Sequence, residues 1–254
     1  MPSFVANLRY PVGKLIFSAP PALKLQQIAQ RAVHGPRMAP IVVGGSQFTC
    51  WTSEKYYWLG DHYEADLRRL IEAALDIDAV LYDVGAHAGF WPVVFSGHCS
   101  RVFAFEPSPE NFTRLGRNVR LLANVIPINA AVSDAPGVLH FSENGSMSKV
   151  AETGSVEVRA IRLDDFVTEG NPPPSVVKID VEGHGARCLS GMKQIIDCHQ
   201  PVLFMEVHNT EEERAVTGLT GYATEALNST RRFPYHVRLA PRLSQSRVAT
   251  AGAG

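Results

Sequence analysis

Between residues 79 and 207 the chain alternates short, unbroken apolar runs with longer segments whose apolar residues recur every three or four positions. Unbroken runs closed by glycine, proline or an acid are the pattern of strands buried on both faces, and the longer spacing is that of amphipathic helices. The runs predict strands over residues 79–83, 102–106, 124–131, 175–180 and 201–207. Between them the spacing predicts helices over 88–96, from Ser108 or Pro109 through Leu122, and over 186–196. Pro92 suits the first of these only in its opening turn. Residues 138–141 and 156–161 read as short strands around a polar connection, 142–155, that is a mobile-loop candidate. Leu163-Asp164-Asp165-Phe166 heads a short helix, and Asn171-Pro172-Pro173-Pro174 is a break. After His208-Asn209 the pattern fades through an acidic helix at Glu211-Glu212-Glu213 to a last strand at 235–239.

Five strands with intervening helices predict an α/β fold: a Rossmann-like, doubly wound, mostly parallel sheet in three α/β/α layers. Right-handed crossovers put every strand's carboxyl end on one edge, where such folds bind ligands. The expected organisation is a helical and aromatic cap segment over 1–60, the Rossmann-like domain over 61–240 and a flexible tail over 241–254. In the cap segment Leu23, Ile28, Ala29 and Val33 have helical spacing, which Pro36, Pro40, Gly44 and Gly45 interrupt. Trp51, Tyr56, Tyr57 and Trp58 follow, read as core or cover, or as a lid that excludes water. Residues 61–64 are placed to cap a helix through Leu67, Leu70, Ile71 and Leu75.

Composition narrows the function classes. With 45% hydrophobic and 19% charged residues, the chain reads as soluble and globular. A formal net charge of -1 supplies no field for nucleic acid or an anionic membrane, so neither is an expected partner. Cys50, Cys99, Cys188 and Cys198 never form a Cys-x-x-Cys pair, so neither a zinc clip nor a disulfide framework is expected. The apolar patch Leu15-Ile16-Phe17, stopped by Pro20-Pro21, is too short for a signal or membrane segment, and a cytoplasmic protein is expected.

The chemistry gathers at strand ends. The first strand closes on Asp83-Val84-Gly85-Ala86-His87-Ala88-Gly89-Phe90, a turn of bare backbone that lets a ligand approach closely. Glu106 lies 21 residues past Gly85, the interval at which nucleotide-binding α/β folds place the acid that grips ribose hydroxyls. Asp180 and Glu206 also fall at strand ends, and four acids on one edge imply something cationic or hydroxylated.

Four segments in order, residues 83–90, 103–112 (Phe-Ala-Phe-Glu-Pro-Ser-Pro-Glu-Asn-Phe), 129–134 (Asn-Ala-Ala-Val-Ser-Asp) and 177–183 (Val-Lys-Ile-Asp-Val-Glu-Gly), resemble the FkbM-type class I methyltransferases. The likeness covers about residues 63–209. It implies transfer of a methyl group from S-adenosylmethionine to a hydroxyl of a sugar or secondary metabolite. It further implies that Asp83, Gly85, Ala86, His87, Gly89 and Phe90 cradle the methionine part, and that Glu106, with Pro107, accepts from the ribose hydroxyls. Ser108 and Asn111 would flank the ribose and adenine, and Val132 and Ser133 would line the adenine. Asp180 is the first choice for base or substrate anchor. Lys178, on the same strand face, either lowers a hydroxyl's pKa or pairs with Asp180. Glu182, His184 and His208 rank next. The family's last motif commonly continues Glu-Gly-Ala-Glu, whereas Glu182-Gly183-His184-Gly185 lacks the second carboxylate.

Three alternatives stand beside this reading. Asp180, Glu182, Glu206 and His208 offer ligands for Mg²⁺. An NAD-linked oxidoreductase also needs an acid after the second strand, although the first turn lacks Gly-x-Gly-x-x-Gly. The altered last motif permits a non-catalytic S-adenosylmethionine-binding protein.

Overall fold

The computed structural model describes residues 38–52, 54, 57–142, 149–150, 156–227 and 232–242. The helix expected over 23–33, Tyr56, most of the polar connection within 142–155 and the expected tail beyond 242 lie outside the described residues, whereas Pro241, expected in the flexible tail, closes the last strand.

The first described element is a hairpin, β1 (Met38–Val43) and β2 (Ser46–Trp51), turned at Gly44 and Gly45 with φ 56° and 76°. Sequence reading took Pro40 and the two glycines only as breaks; they belong to a hairpin. A 3-10 helix (Tyr57–His62) leads to α1 (Ala65–Glu72). The alternation then follows as expected: β3 (Val80–Val84), α2 (Phe90–Phe95), β4 (Arg101–Phe105), α3 (Pro109–Val119) and β5 (Val125–Ile128). Pro92 does fall in the first turn of α2. A smaller sheet follows from β6 (Ala131–Val132), β7 (Gly137–Ser142), β8 (Lys149–Val150) and β9 (Val156–Ile161), in the order β6-β9-β7-β8. The chain then forms α4 (Leu163–Thr168), β10 (Val176–Ile179), α5 (Gly185–Ser190), α6 (Lys193–His199), β11 (Val202–Val207), α7 (Thr210–Thr217), β12 (Tyr222–Ala226) and β13 (Tyr235–Pro241).

The main sheet has seven strands in the order β12-β13-β11-β10-β3-β4-β5. β11, β10, β3, β4 and β5 run parallel, and β13 is antiparallel to both its neighbours. Tyr82, Val84, Phe103, Phe105, Val177, Ile179, Leu203 and Met205 pack in one core with α4 to α7. The alternate residues Leu81, Val102, Ala104, Val176 and Phe204 pack with α1 to α3 and the hairpin. The three-layer, mostly parallel architecture is therefore the one the apolar runs predict.

Three boundaries differ from expectation, each for a local reason. The third predicted strand, 124–131, is cut after Ile128, and Ala131 and Val132 leave to pair with β9 in the second sheet. The helix expected over 186–196 is two helices, parted at Met192, whose φ of -129° leaves the helical region. Gly191 before it is glycine because a Cβ there would lie 2.0 Å from the Ser133 carbonyl oxygen. β12 has three consecutive exposed residues, Ala223 to Glu225, and neither an apolar run nor an alternation, so it carried no strand signal.

The hairpin joins the sheet's core through Val43, Phe48 and Cys50. Asn118 of α3 fixes it: its Oδ1 accepts from Thr49 N at 2.9 Å, and its Nδ2 donates to Thr49 O at 2.9 Å and Ala88 O at 2.8 Å. One amide side chain thus acts as the missing neighbour of a strand edge.

Candidate active site

On the face that carries α1 to α3, alternate strand positions change character toward the carboxyl edge. β3 runs Leu81, Asp83; β10 runs Val176, Lys178 and then Asp180; β11 runs Phe204, Glu206 and then His208. These strands are neighbours, so their polar ends converge. Lys178 Nζ lies 3.3 Å from Asp83 Oδ1 and 3.6 Å from Asp180 Oδ2. Asp83 is fully buried, and beyond that ion pair no described group donates to its carboxylate.

The cluster continues across the edge. His208 Nε2 lies 3.4 Å from Glu206 and 3.6 Å from Glu182, and its Nδ1 lies 3.7 Å from Glu212. His236 stands opposite Glu206 in the β11–β13 register, and its Nε2 is 4.0 Å from Glu64 Oε1. Glu64 precedes α1 in the left-handed region, φ 45°, and makes no side-chain cap, contrary to the capping role expected of residues 61–64.

Electrostatics sort these groups. Burial opposes the charge on Lys178, but Asp83, Asp180 and Glu64 more than offset it and hold the ammonium well above the usual lysine range. Lys178 is therefore a fixed cation, and of the two roles expected for it the structure shows the pairing. Burial would also raise Asp180, yet Lys178 and a hydrogen bond with Glu206 hold it down at about 2. Glu206, buried beside that charge, is pushed up to about 7. Burial disfavours His208 as a cation, but Glu206 and Glu212 beside it push it up to about 11. Asp180, Glu182 and His208 present ligand atoms within 4.8 Å of one another. A divalent cation taking that position would have to displace the imidazolium proton.

The other half of the edge is the turn after β3. Gly85 N and Ala86 N both donate to Phe105 O at 3.0 Å. Gly85 and Gly89 are glycines for a nearer reason than ligand approach. A Cβ on Gly85 would lie 1.8 Å from the Asp180 carbonyl oxygen, and one on Gly89 would lie 2.8 Å from Leu115 Cδ1, both at positive φ. Ala86 and Phe90 are buried in the core beneath the turn. His87, at φ 49°, donates its N–H to Glu106 Oε2 at 2.7 Å. Its ring Nδ1 is 2.6 Å from Tyr57 Oη, and burial, with Arg114 nearby, pushes it down to about 3. Tyr57 stacks on Phe90 at 5.3 Å, so the aromatic segment does cover this turn. Glu54, unnoticed in the sequence, ties the same cover to α3 through Arg114 and accepts from Trp51 N.

Glu106 directly follows β4 and is buried at 5% exposure. Its Oε1 accepts from Ser108 N at 2.9 Å and its Oε2 from His87 N, which leaves each oxygen a further lone pair. Burial outweighs those two bonds and pushes Glu106 up to about 7. Ser108 caps α3, accepting from Asn111 N at 3.3 Å, and Asn111 Oδ1 in turn accepts from Arg114. Pro107 offers its carbonyl oxygen to Asn129 Nδ2 at 3.1 Å.

Three expected residues, Val132, Ser133 and His184, are placed apart from the Lys178–His208 cluster. Ser133 is buried, with its Oγ 3.0 Å from His184 Nε2, and Val132 lies in the core. His184 is thereby engaged by Ser133, and the structure does not bring it into the Lys178–His208 group. Sequence reading missed Glu64, Glu212 and His236. Glu64 was read there only as part of a helix cap, Glu212 only as part of an acidic helix, and His236 only as a polar alternate in the run Tyr235, Val237, Leu239.

Comparison with known proteins places the chain in a family. Residues 83–239 match the family described as the methyltransferase FkbM domain. The hexuronic acid methyltransferase AglP of Haloferax volcanii is 34% identical over 200 residues, covering 76% of this chain and 82% of that protein. The crystal structure of methyltransferase FkbM from Methylobacillus flagellatus KT superposes with a TM-score of 0.51 at 16% identity, over 64% of this chain. This chain spans 43% of that structure's length, so that likeness speaks for the fold. With motifs, strand order and relatives in agreement, the chain belongs to the FkbM methyltransferase family and is a methyltransferase.

Proposed function

We propose that this protein methylates an oxygen of a carbohydrate, with S-adenosylmethionine as donor and a hexuronic-acid glycan as the first acceptor to test. The observation that carries the reading is the meeting of two differently built halves on one sheet edge. One is the Glu106–His87 turn, and the other is the charged ends of β10 and β11. The relative named for hexuronic acid supports the acceptor class.

The chain's groups suit the donor. Glu106 has two lone pairs left for ribose hydroxyls, and the Gly85–Gly89 turn lies beside it at the ends of adjacent strands. When bound, S-adenosylmethionine supplies a methyl already activated on a sulfonium, so the protein's work is alignment and removal of a proton. Asp180, held near 2, is a poor base and serves better as an anchor. Glu206, hydrogen-bonded to Asp180 and pushed up to about 7, is the better matched base near neutrality. Lys178 keeps Asp180 ionised without exchanging a proton itself, whereas burial raises Asp83 above the usual carboxylate range despite the same cation. A formal net charge of -1 fits a sugar acceptor better than a nucleic acid.

The test combines calorimetric titration with S-adenosylhomocysteine and NAD, and a labelled-methyl assay on glucuronic and galacturonic acid oligosaccharides beside neutral sugars. Tighter binding of S-adenosylhomocysteine than NAD and label on the uronic acids are expected. Binding of NAD alone, or transfer only to neutral sugars or RNA, would overturn the donor or the acceptor assignment respectively. Alkali separates the two oxygen classes of a hexuronic acid, since it cleaves a methyl ester and leaves an ether. Loss of turnover on chelation, with recovery on adding Mg²⁺, would favour the cation alternative at Asp180, Glu182 and His208.

A further inference from the structure

The stretch Glu182-Gly183-His184-Gly185 lacks a second carboxylate, yet the space beside Gly185 already holds one. A Cβ on Gly185 would lie 2.9 Å from Glu212 Oε1 and 2.2 Å from the Met205 methyl carbon. Glu212 comes from α7, twenty-seven positions further along, and is fully buried. Its Oε1 accepts from Gly185 N at 2.7 Å, its Oε2 accepts from His208 N at 2.6 Å, and His208 Nδ1 lies 3.7 Å from the same oxygen.

We propose that Glu212 supplies, from α7, the carboxylate that the altered motif lacks at position 185, and that it is the positioning residue for His208. The inference deepens the site reading above and rests on it for its bearing on catalysis. Glu212 is itself fixed for the task. Asn209 caps α7 by accepting from Glu212 N at 2.9 Å, and Asn209 Nδ2 donates to Gly183 O at 3.2 Å. The end of β11 and the start of α5 are thus tied through one buried carboxylate, and the turn carrying Glu182 is tied to the same place through Asn209. A buried carboxylate with two short N–H donors is compensated, and without it those two N–H groups would be left unpaired in the core. Glu212 holds His208 by its backbone N–H, the ring Nδ1 lying 3.7 Å from the carboxylate with no hydrogen bond among the described residues. Nε2 faces Glu182 and Glu206, the side on which Glu206 meets Asp180. The Gly185 departure therefore relocates the acid and leaves the site complete.

A transplant tests this. Glu212→Gln, Glu212→Ala, Gly185→Glu, the double variant Gly185→Glu/Glu212→Ala and the control Gly185→Gln/Glu212→Ala are compared by thermal melting and by the ring-nitrogen NMR shifts of His208. Each single variant is expected to melt about 4 °C or more below the parent. Glu212→Gln should also lose the signature of a proton on Nδ1. Gly185→Glu/Glu212→Ala should recover most of both losses, because the flexible end of Met205 can move aside; the glutamine control should not. A double variant no more stable than Glu212→Ala, equal rescue by glutamine, or unchanged ring shifts in Glu212→Gln would each overturn the proposal. If Glu212→Ala does not fold, a folded Gly185→Glu/Glu212→Ala supports it and an unfolded one overturns it. S-adenosylhomocysteine titration of the parent protein is a separate arm. Failure there defeats the donor assignment and leaves the Glu212 result standing.

Discussion

Lys178 stands directly across from Asp83 in the β3–β10 register, and the ion pair between them, 3.3 Å long, is buried on both sides. A charge pair in such a place costs desolvation and survives because each partner would be worse off alone. Lys178→Met should therefore destabilise the fold by about 3–5 kcal/mol, and Asp83→Asn in that background should recover part of it. Urea unfolding of the two single variants and the double variant measures this. Additive losses would show that the pair is not coupled.

Glu106 is expected to bind the donor's ribose as a carboxylate. Glu106→Ala should weaken S-adenosylhomocysteine binding by about 1–3 kcal/mol. Burial pushes Glu106 up to about 7, so the free protein holds it increasingly protonated below that pH. Affinity should then fall as pH drops below about 7, by up to about tenfold per unit. Titrations from pH 5 to 8 check the slope, and Glu106→Gln should flatten it.

Turnover should respond differently at the other half of the edge. Asp180→Asn and Glu206→Gln are both expected to keep S-adenosylhomocysteine affinity and to lose turnover, Glu206→Gln by about 10²–10⁴-fold. Because Glu206 sits at about 7, the parent's rate should rise with pH through that value as the base loses its proton. A single-turnover assay across pH reads this directly, and full activity in Glu206→Gln would remove it from the mechanism.

Asn118 predicts a stability effect remote from the chemistry. Asn118→Ala deletes bonds to Thr49 N, Thr49 O and Ala88 O, and should cost about 2–3 kcal/mol with the hairpin edge loosened first. Hydrogen exchange at Thr49 N beside global unfolding separates local from global loss.

The parallel core was legible because burial on both faces leaves a mark in the chain itself: Val80 to Val84, Val102 to Phe105 and Val202 to Val207 are almost unbroken apolar runs. Glu106 was legible for a related reason, since the interval from Gly85 is set by one strand–helix–strand unit. Strands that are partly exposed, β1, β2 and β12, left no such mark. The roles of Gly85 and Gly191 were hidden too, because what forbids a side chain there is a carbonyl oxygen from a distant segment, Asp180 or Ser133.

What the sequence alone determined, then, is periodicity and local spacing: the layers, the strand ends, and which acids stand at them. Tertiary structure decided how those acids are used. It paired Lys178 with Asp83 and Asp180, turned His184 to Ser133, and brought Glu64, His236 and Glu212 in from elements that carry no motif. The physical reason is that a carboxylate's ionisation depends on burial and on the charges beside it, and those neighbours come from strands and helices far apart in the chain.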